Sequence, residues 1–166
     1  MRPGTVLGKQ EEMKTRTIIL TLALCFVGVA VVLAEDANMG TWKLNEVKSS
    51  FAAGATKNTT VVYEAAGDSV KVTVDGTDKD GKPTHNEWTG KYDGKDYPVS
   101  GDPNTDTRSL KKIDDHTLGL TGKKAGKVVT TGRIVVSADG KTRTVSTSGT
   151  DSMGMMMKST AVYDKQ

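Results

Sequence analysis

Short segments in which Val and Thr alternate with polar residues recur along this chain, and turn-forming pairs separate them. The clearest segment is 69–74, Ser-Val-Lys-Val-Thr-Val, where the three valines share one face. A period of two residues is typical of a half-buried β-strand. The pairs Gly67-Asp68, Asp75-Gly76, Asp80-Gly81, Asp93-Gly94 and Asp139-Gly140 suit tight hairpins, because Gly tolerates the positive φ that such turns need. The pattern predicts an antiparallel, all-β fold.

Ten such segments can be placed along the chain. They are residues 41–47, 59–64, 69–74, 84–92, 97–99, 107–113, 117–121, 128–137, 142–148 and 156–164. Strands this short and closely spaced are typical of a β-barrel or a β-sandwich. We expect an antiparallel up-and-down barrel of about eight to ten strands. Residues 48–57 form the longest irregular stretch and have room for a short helix across the barrel mouth.

The first 34 residues have the features of a secretory signal. A basic segment, 13–16, precedes an apolar run from Ile18 to Leu33, and small residues precede the expected cleavage site after Ala34. We expect a mature domain of residues 35–166 in the periplasm or outside the cell. A retained membrane anchor is one alternative, but the apolar run is short for a membrane span. Lipid attachment at Cys25 is another, but the segment fits a lipid-attachment box poorly because the bulky Leu24 precedes the cysteine.

The charge of the mature chain argues against several classes of partner. The leader carries four of the 23 basic and two of the 20 acidic residues, which leaves 19 basic and 18 acidic side chains. Such a balance, with no basic block, predicts no nucleic-acid binding. The strands also lack the regular apolar face of a lipid-exposed barrel, so we expect no membrane span after processing. Cys25 is the only cysteine, so we expect a mature domain without a disulfide. We also expect a monomer.

Both ends of the mature chain carry a family signal. Gly40-Thr41-Trp42 opens it and Val162-Tyr163-Asp164-Lys165 closes it. These phrases resemble those of lipocalins and fatty-acid-binding proteins. Together with segments 40–45, 92–99 and 137–142, they look most like small exported bacterial lipocalin-like proteins. The resemblance covers most of the mature chain and implies a ligand-binding barrel with Trp42 as a plug at its closed end. It brings no specific activity with it.

One departure from the fatty-acid-binding pattern concerns the ligand. In that family the last strand carries an Arg two residues before the Tyr, and the two side chains bind a carboxylate. Tyr163 is present here, but Ala161 occupies the Arg position. The resemblance therefore implies only half of the carboxylate clamp.

Four side chains are candidates for ligand contact. Arg143 shares strand parity with Val145, so it faces the interior if Val145 does, where it could hold an anionic head group near Tyr163. Trp88 and Tyr92 lie four residues apart on one predicted strand and could form an apolar patch with a hydroxyl group. Ordinary core packing explains the two aromatic residues as well, and an outer-face position is the alternative for Arg143.

Other candidate chemistry is weaker. His85 and Glu87, with His116 as a third ligand, could bind a divalent metal, but they face solvent if Trp88 faces inward. Met153, Met155, Met156 and Met157 could bind Cu(I), and core packing or a flexible loop is the alternative. No Ser-His-Asp, Cys-His or phosphate-loop pattern is present, so we expect no enzymatic activity, no metal and no cofactor.

The residues thus lead to two functional hypotheses. The first is an exported protein that binds a small apolar or amphipathic molecule inside its barrel. The second is a structural or envelope-interaction barrel with a filled interior. An empty interior of a few hundred cubic ångströms would favour the first hypothesis.

Overall fold

The computed structural model describes residues 36–150 and 154–166. The predicted leader, its cleavage site, Cys25 and Met153 lie outside these residues. The described strands are β1 (Gly40–Leu44), β2 (Lys57–Ala66), β3 (Ser69–Thr77), β4 (Pro83–Gly90), β5 (Tyr97–Ser100), β6 (Thr107–Lys112), β7 (Thr117–Lys124), β8 (Lys127–Val136), β9 (Thr142–Thr150) and β10 (Met156–Lys165).

The ten strands form one closed antiparallel barrel. Each strand pairs with its neighbours in sequence, and β1 pairs with β10 to complete the ring, with Trp42 opposite Lys165 and Leu44 opposite Tyr163. Closure of this kind leaves no sheet edge unpaired. The predicted antiparallel up-and-down barrel is therefore confirmed, and the sandwich alternative is excluded.

Four of the five predicted turn pairs lie between strands, but Asp75-Gly76 lies inside β3, where both residues pair with β2 and β4. Between β3 and β4, Gly81 has a φ of 78°, and the Asp78 carboxylate accepts the backbone N–H groups of Asp80 and Lys82 at 2.9 Å each. The stretch after β1 differs from the expectation. Its one helical turn is a 3₁₀ turn at Glu46–Lys48, and residues 49–56 continue without a further helix. A bridge between Ser50 and Thr160 ties that stretch to β10.

The alternating strand directions define two ends of the barrel. The connections after β1, β3, β5 and β7 lie at one end, which we call the open end. The connections after β2, β4, β6 and β8 lie at the other, the closed end, together with residues 36–39. Every strand therefore runs between the two ends, and the position of a residue in its strand indicates its depth in the barrel.

Trp42 belongs to the core near the closed end, as the sequence predicts. Its side chain has no exposed surface, and its Nε1–H donates to the Asn38 carbonyl at 2.7 Å. The Lys165 Nζ lies 5.3 Å from the centre of the Trp42 ring. Gly40, with a φ of 99°, lets Lys165 pass close by, since a Cβ there would lie 3.3 Å from the Lys165 Cε. The beginning of β1 and the end of β10 thus meet at this residue.

A second aromatic cluster lies on β4 and β5. Trp88 is buried, and its Nε1–H donates to the Arg108 carbonyl at 2.9 Å. Its ring packs edge-on against the Tyr97 ring, with the two ring centres 5.9 Å apart. Gly90 makes this contact possible, because a Cβ at that position would lie 2.6 Å from atoms of both rings.

Within the described part of the chain, no helix is long and apolar enough to cross a membrane.

Candidate functional site

The barrel encloses a cavity of about 510 Å³ that extends towards the open end. Inward-facing residues of most strands line it, because alternate residues of each strand point inside. Its aliphatic lining residues are Val61, Val72, Val74, Leu110, Leu120, Ile134 and Val145. Its charged and larger polar lining residues include Asn58, Tyr63, Asp78, Lys79, Asn86, Asp102, Asn104, Arg108, Arg143 and Tyr163. The wall is therefore mixed, with aliphatic surface and a small set of polar groups.

Arg143 lies in the cavity wall near the closed end. It is the second residue of β9, directly opposite Tyr163 on β10, and only 3% of its surface is exposed. Its Nη2 donates to the Tyr63 hydroxyl at 2.8 Å. Its guanidinium carbon lies 4.6, 5.5 and 5.9 Å from the ring centres of Tyr63, Tyr163 and Trp42. Three aromatic rings thus surround the cation, at distances that allow cation–π attraction.

The described residues satisfy the Arg143 guanidinium only in part. Within the described residues, its Nε and Nη1 have no hydrogen-bond partner, and no carboxylate forms an ion pair with it. The other cations of the cavity wall are paired, Lys79 with Asp80 at 2.8 Å and Arg108 with Asp102 at 3.5 Å. Buried charges and buried donors without partners are costly. The closed end of the cavity is therefore a site that would bind an anion favourably.

Tyr63 and Tyr163 add hydroxyl groups to the same region. Both are nearly fully buried. Burial raises the pKa of Tyr163 to about 12, against a smaller opposing effect of the Arg143 charge. Tyr163 is therefore neutral at physiological pH and can donate a hydrogen bond to a bound anion.

A second arginine faces the cavity nearer the open end. Arg108 is the second residue of β6, its Nη2 donates to the Asn86 Oδ1 at 3.2 Å, and it pairs with Asp102 in the connection between β5 and β6. Burial lowers the pKa of Arg108 from its ordinary value, and Asp102 opposes that shift. Sequence reasoning missed this residue, although Arg108 shares strand parity with the buried Leu110, a signal that could have found it.

The structure places two of the four predicted ligand residues on the cavity wall. Arg143 and Tyr163 line it side by side. Trp88 and Tyr92 are not among its lining residues. Trp88 belongs to the core, and Tyr92 follows the end of β4 at Gly90 and packs against the core near the closed end. The prediction placed Tyr92 on β4 with Trp88, but the strand ends two residues earlier.

The weaker candidates lie outside the cavity. His85 is on the outer face of β4, where its Nδ1 lies 2.7 Å from Asp75 and its Nε2 lies 3.9 Å from Glu87. His116 lies in the turn between β6 and β7. Within the described ranges, no three His, Cys, Asp or Glu residues are grouped as metal ligands would be. Met155 and Met156 are exposed near the start of β10.

Comparison with known proteins leaves the family open. No family model and no curated protein matches the chain. Among solved structures, the redesigned beta barrel mFAP1 bound to DFHBI matches 78% of this chain and 95% of its own, with 17% identity and a TM-score of 0.45. EF1p2_mFAP2b bound to DFHBI matches 78% of this chain and 94% of its own, with 11% identity and the same TM-score. Likenesses this distant carry no inference about a ligand.

Proposed function

We propose that this protein binds a small amphipathic molecule inside its barrel, with the anionic group of that molecule at Arg143. One observation carries the proposal. A cavity of about 510 Å³ contains a buried arginine that has no carboxylate partner, and two nitrogens without a hydrogen-bond partner, among the described residues. An anion would supply the missing partner, and charge-assisted hydrogen bonds are among the stronger ones in proteins.

The size and lining of the cavity support a small organic ligand. Ligand pockets commonly measure about 300–1,000 Å³ and combine apolar walls with a few placed polar groups. The aliphatic residues between Arg143 and the open end supply the apolar wall. A bare inorganic anion would leave that wall without contacts, so an amphipathic organic anion fits better. We propose a binding protein rather than an enzyme.

The competing hypothesis, an envelope-interaction barrel, required a filled interior. An interior volume of about 510 Å³ weighs against it. We also propose that the protein acts outside the cytoplasm, on the basis of the leader. N-terminal sequencing of the protein from its native host should then begin at Glu35, and a chain that retains residues 1–34 would contradict export by cleavage.

Fluorescence titration tests the binding proposal directly. Anilinonaphthalene sulfonate is an amphipathic anion, and Nile red is a neutral apolar probe, so the pair separates charge recognition from general apolar binding. We expect saturable, one-to-one binding of the anionic probe that a short-chain alkyl carboxylate or sulfonate displaces. Absence of saturable binding by both probes, with a clean native mass for the purified protein, would refute the proposal.

A further inference from the structure

The wall of the cavity changes character with depth. Tyr63, Arg143 and Tyr163 lie at its closed end, and aliphatic residues occupy the middle. Towards the open end the wall becomes polar again, with Asn58, Thr84, Asn86, Thr105, Arg108, Thr130 and Thr147. The cavity is therefore polar at both ends and apolar between them. A ligand with one polar end would match only half of it.

The polar groups nearer the open end are not an exposed rim. The Arg108 side chain is 16% exposed, and Asn86 and Thr105 are buried. The Asp102 carboxylate holds this arrangement in place, since it accepts the Asn104 N–H at 2.8 Å and the Thr105 hydroxyl at 2.6 Å. We call Asn86, Asp102, Thr105 and Arg108 the mouth subsite.

A hydrocarbon tail in the mouth subsite would be unfavourable. A guanidinium has five N–H donors, and the hydrogen bond and ion pair that it makes to Asn86 and Asp102 both use Nη2. A tail that displaces water from the other donors would leave them without partners, which costs free energy. An oxygen atom of a ligand at this position would satisfy them instead.

The two arginines differ in the charge that they offer. Asp102 pairs with Arg108, so the mouth subsite is close to neutral, whereas Arg143 has no carboxylate partner among the described residues. The mouth subsite therefore favours a neutral oxygen acceptor, such as a hydroxyl or carbonyl group, over a second anion. The closed end favours the anion.

Strand register gives the offset within the sheet between Tyr63, beside Arg143, and Asn86 of the mouth subsite. Tyr63 accepts a hydrogen bond from Arg143 and lies two residues closer to the closed end than Val61 on the same strand. Val61 is in register with Val74 on β3, and Val74 is in register with Asn86 on β4. The offset is about 7 Å along the strands and about 10 Å across them. A compact ligand can reach both subsites.

We propose that the ligand is a compact monoanion with a neutral, oxygen-bearing group at its other end, and that the mouth subsite selects it over plain alkyl anions. This inference rests on the proposed function, because it assumes that the anion lies at Arg143. It makes the mouth subsite a second recognition site that discriminates against simple fatty acids.

Matched ligands test the selectivity. Monocarboxylates of six to twelve carbons are titrated by displacement of anilinonaphthalene sulfonate, each beside its ω-hydroxy counterpart. We expect the hydroxyl group to increase affinity about two- to tenfold at the best chain length, as a satisfied hydrogen bond should. If the plain acids bind through Arg143 and the hydroxyl group gives no gain at any length, the mouth subsite is refuted while the proposed function stands. If no acid binds, both proposals fail.

A charge variant tests the residues. Asp102→Asn leaves Arg108 without its counter-charge and hardly changes the shape of the side chain. The affinity for the dicarboxylate, relative to that for the ω-hydroxy acid of equal length, should therefore increase about tenfold. Asp78→Asn is the matched control, since Asp78 also lines the cavity but binds the backbone N–H groups of Asp80 and Lys82 rather than Arg108. An equal gain for the dicarboxylate in both variants would overturn the assignment. Circular dichroism of each variant verifies the fold.

Discussion

Replacement of Arg143 by Met removes the cation to which we propose that the anion binds. The Met side chain retains an apolar body of similar reach, so the aromatic rings around position 143 keep a packing partner. The change removes the charge, the donor to Tyr63 and the two nitrogens that have no partner among the described residues. The variant should therefore lose charge recognition and keep apolar binding.

The size of the loss follows from the hydrogen bonds that the anion would make. Hydrogen bonds to charged groups contribute about 1.5–3 kcal/mol, and each 1.4 kcal/mol corresponds to tenfold in affinity. Arg143→Met should therefore weaken binding of anilinonaphthalene sulfonate about 10- to 100-fold. Binding of Nile red should change less than about threefold, because its contacts are apolar. Isothermal titration calorimetry or fluorescence titration measures both values.

The control is Arg133→Met, which removes an exposed arginine on β8 and leaves the cavity intact. It should bind both probes as the wild type does. The reasoning is refuted if Arg143→Met binds the anionic probe with unchanged affinity, or if the two arginine variants lose affinity equally. A thermal melt of each variant shows whether the native fold persists, so that an unfolded variant is not mistaken for a loss of recognition.

Three further predictions follow from the packing and from the pKa values. Gly90→Ala should destabilise the protein by about 1–3 kcal/mol, because the new Cβ would overlap the rings of Trp88 and Tyr97. Gly119→Ala is the control, since a Cβ there makes only ordinary contacts, and urea denaturation measures the free energy of unfolding of both variants. Burial raises the pKa of Tyr163 from 10.0 to about 12, so between these values the unfolded chain releases a proton that the folded protein keeps. Stability should therefore fall by on the order of 2–3 kcal/mol from pH 9 to pH 12, and less in Tyr163→Phe. Tyr92→Phe should leave the affinity for the anionic probe within twofold, since Tyr92 does not line the cavity, and a larger loss in the same titration would place its hydroxyl group at the ligand.

The strands of this protein were predictable because their signals are local. Alternation along segment 69–74 and the Asp-Gly pairs depend on neighbouring residues alone, and the structure has a strand for each of the ten predicted segments. The same parity argument placed Arg143 with Val145 on the cavity wall. Parity misled at Tyr92, because β4 ends at Gly90 and the alternation does not continue past it.

The candidate site, in contrast, is formed by residues that are far apart in sequence, and local sequence patterns do not show which of them meet. Tyr63 and Arg143 are 80 residues apart and share a hydrogen bond. The pairing of Arg108 with Asp102 comes from the connection between β5 and β6, and a sequence full of lysine and aspartate gives no sign of which charges will pair. Whether a buried cation has a counter-charge is a property of the assembled barrel.

The sequence by itself indicated about ten strands, most of their turns and which residues share a face on β3, β4 and β9, since backbone geometry couples these features to neighbouring residues. Tertiary structure alone decided that β1 closes on β10, that about 510 Å³ inside stays unfilled, and that Arg143 has no carboxylate partner among the described residues while Arg108 has one. Closure, volume and charge compensation are sums over side chains from distant strands. They exist only once the ring is complete.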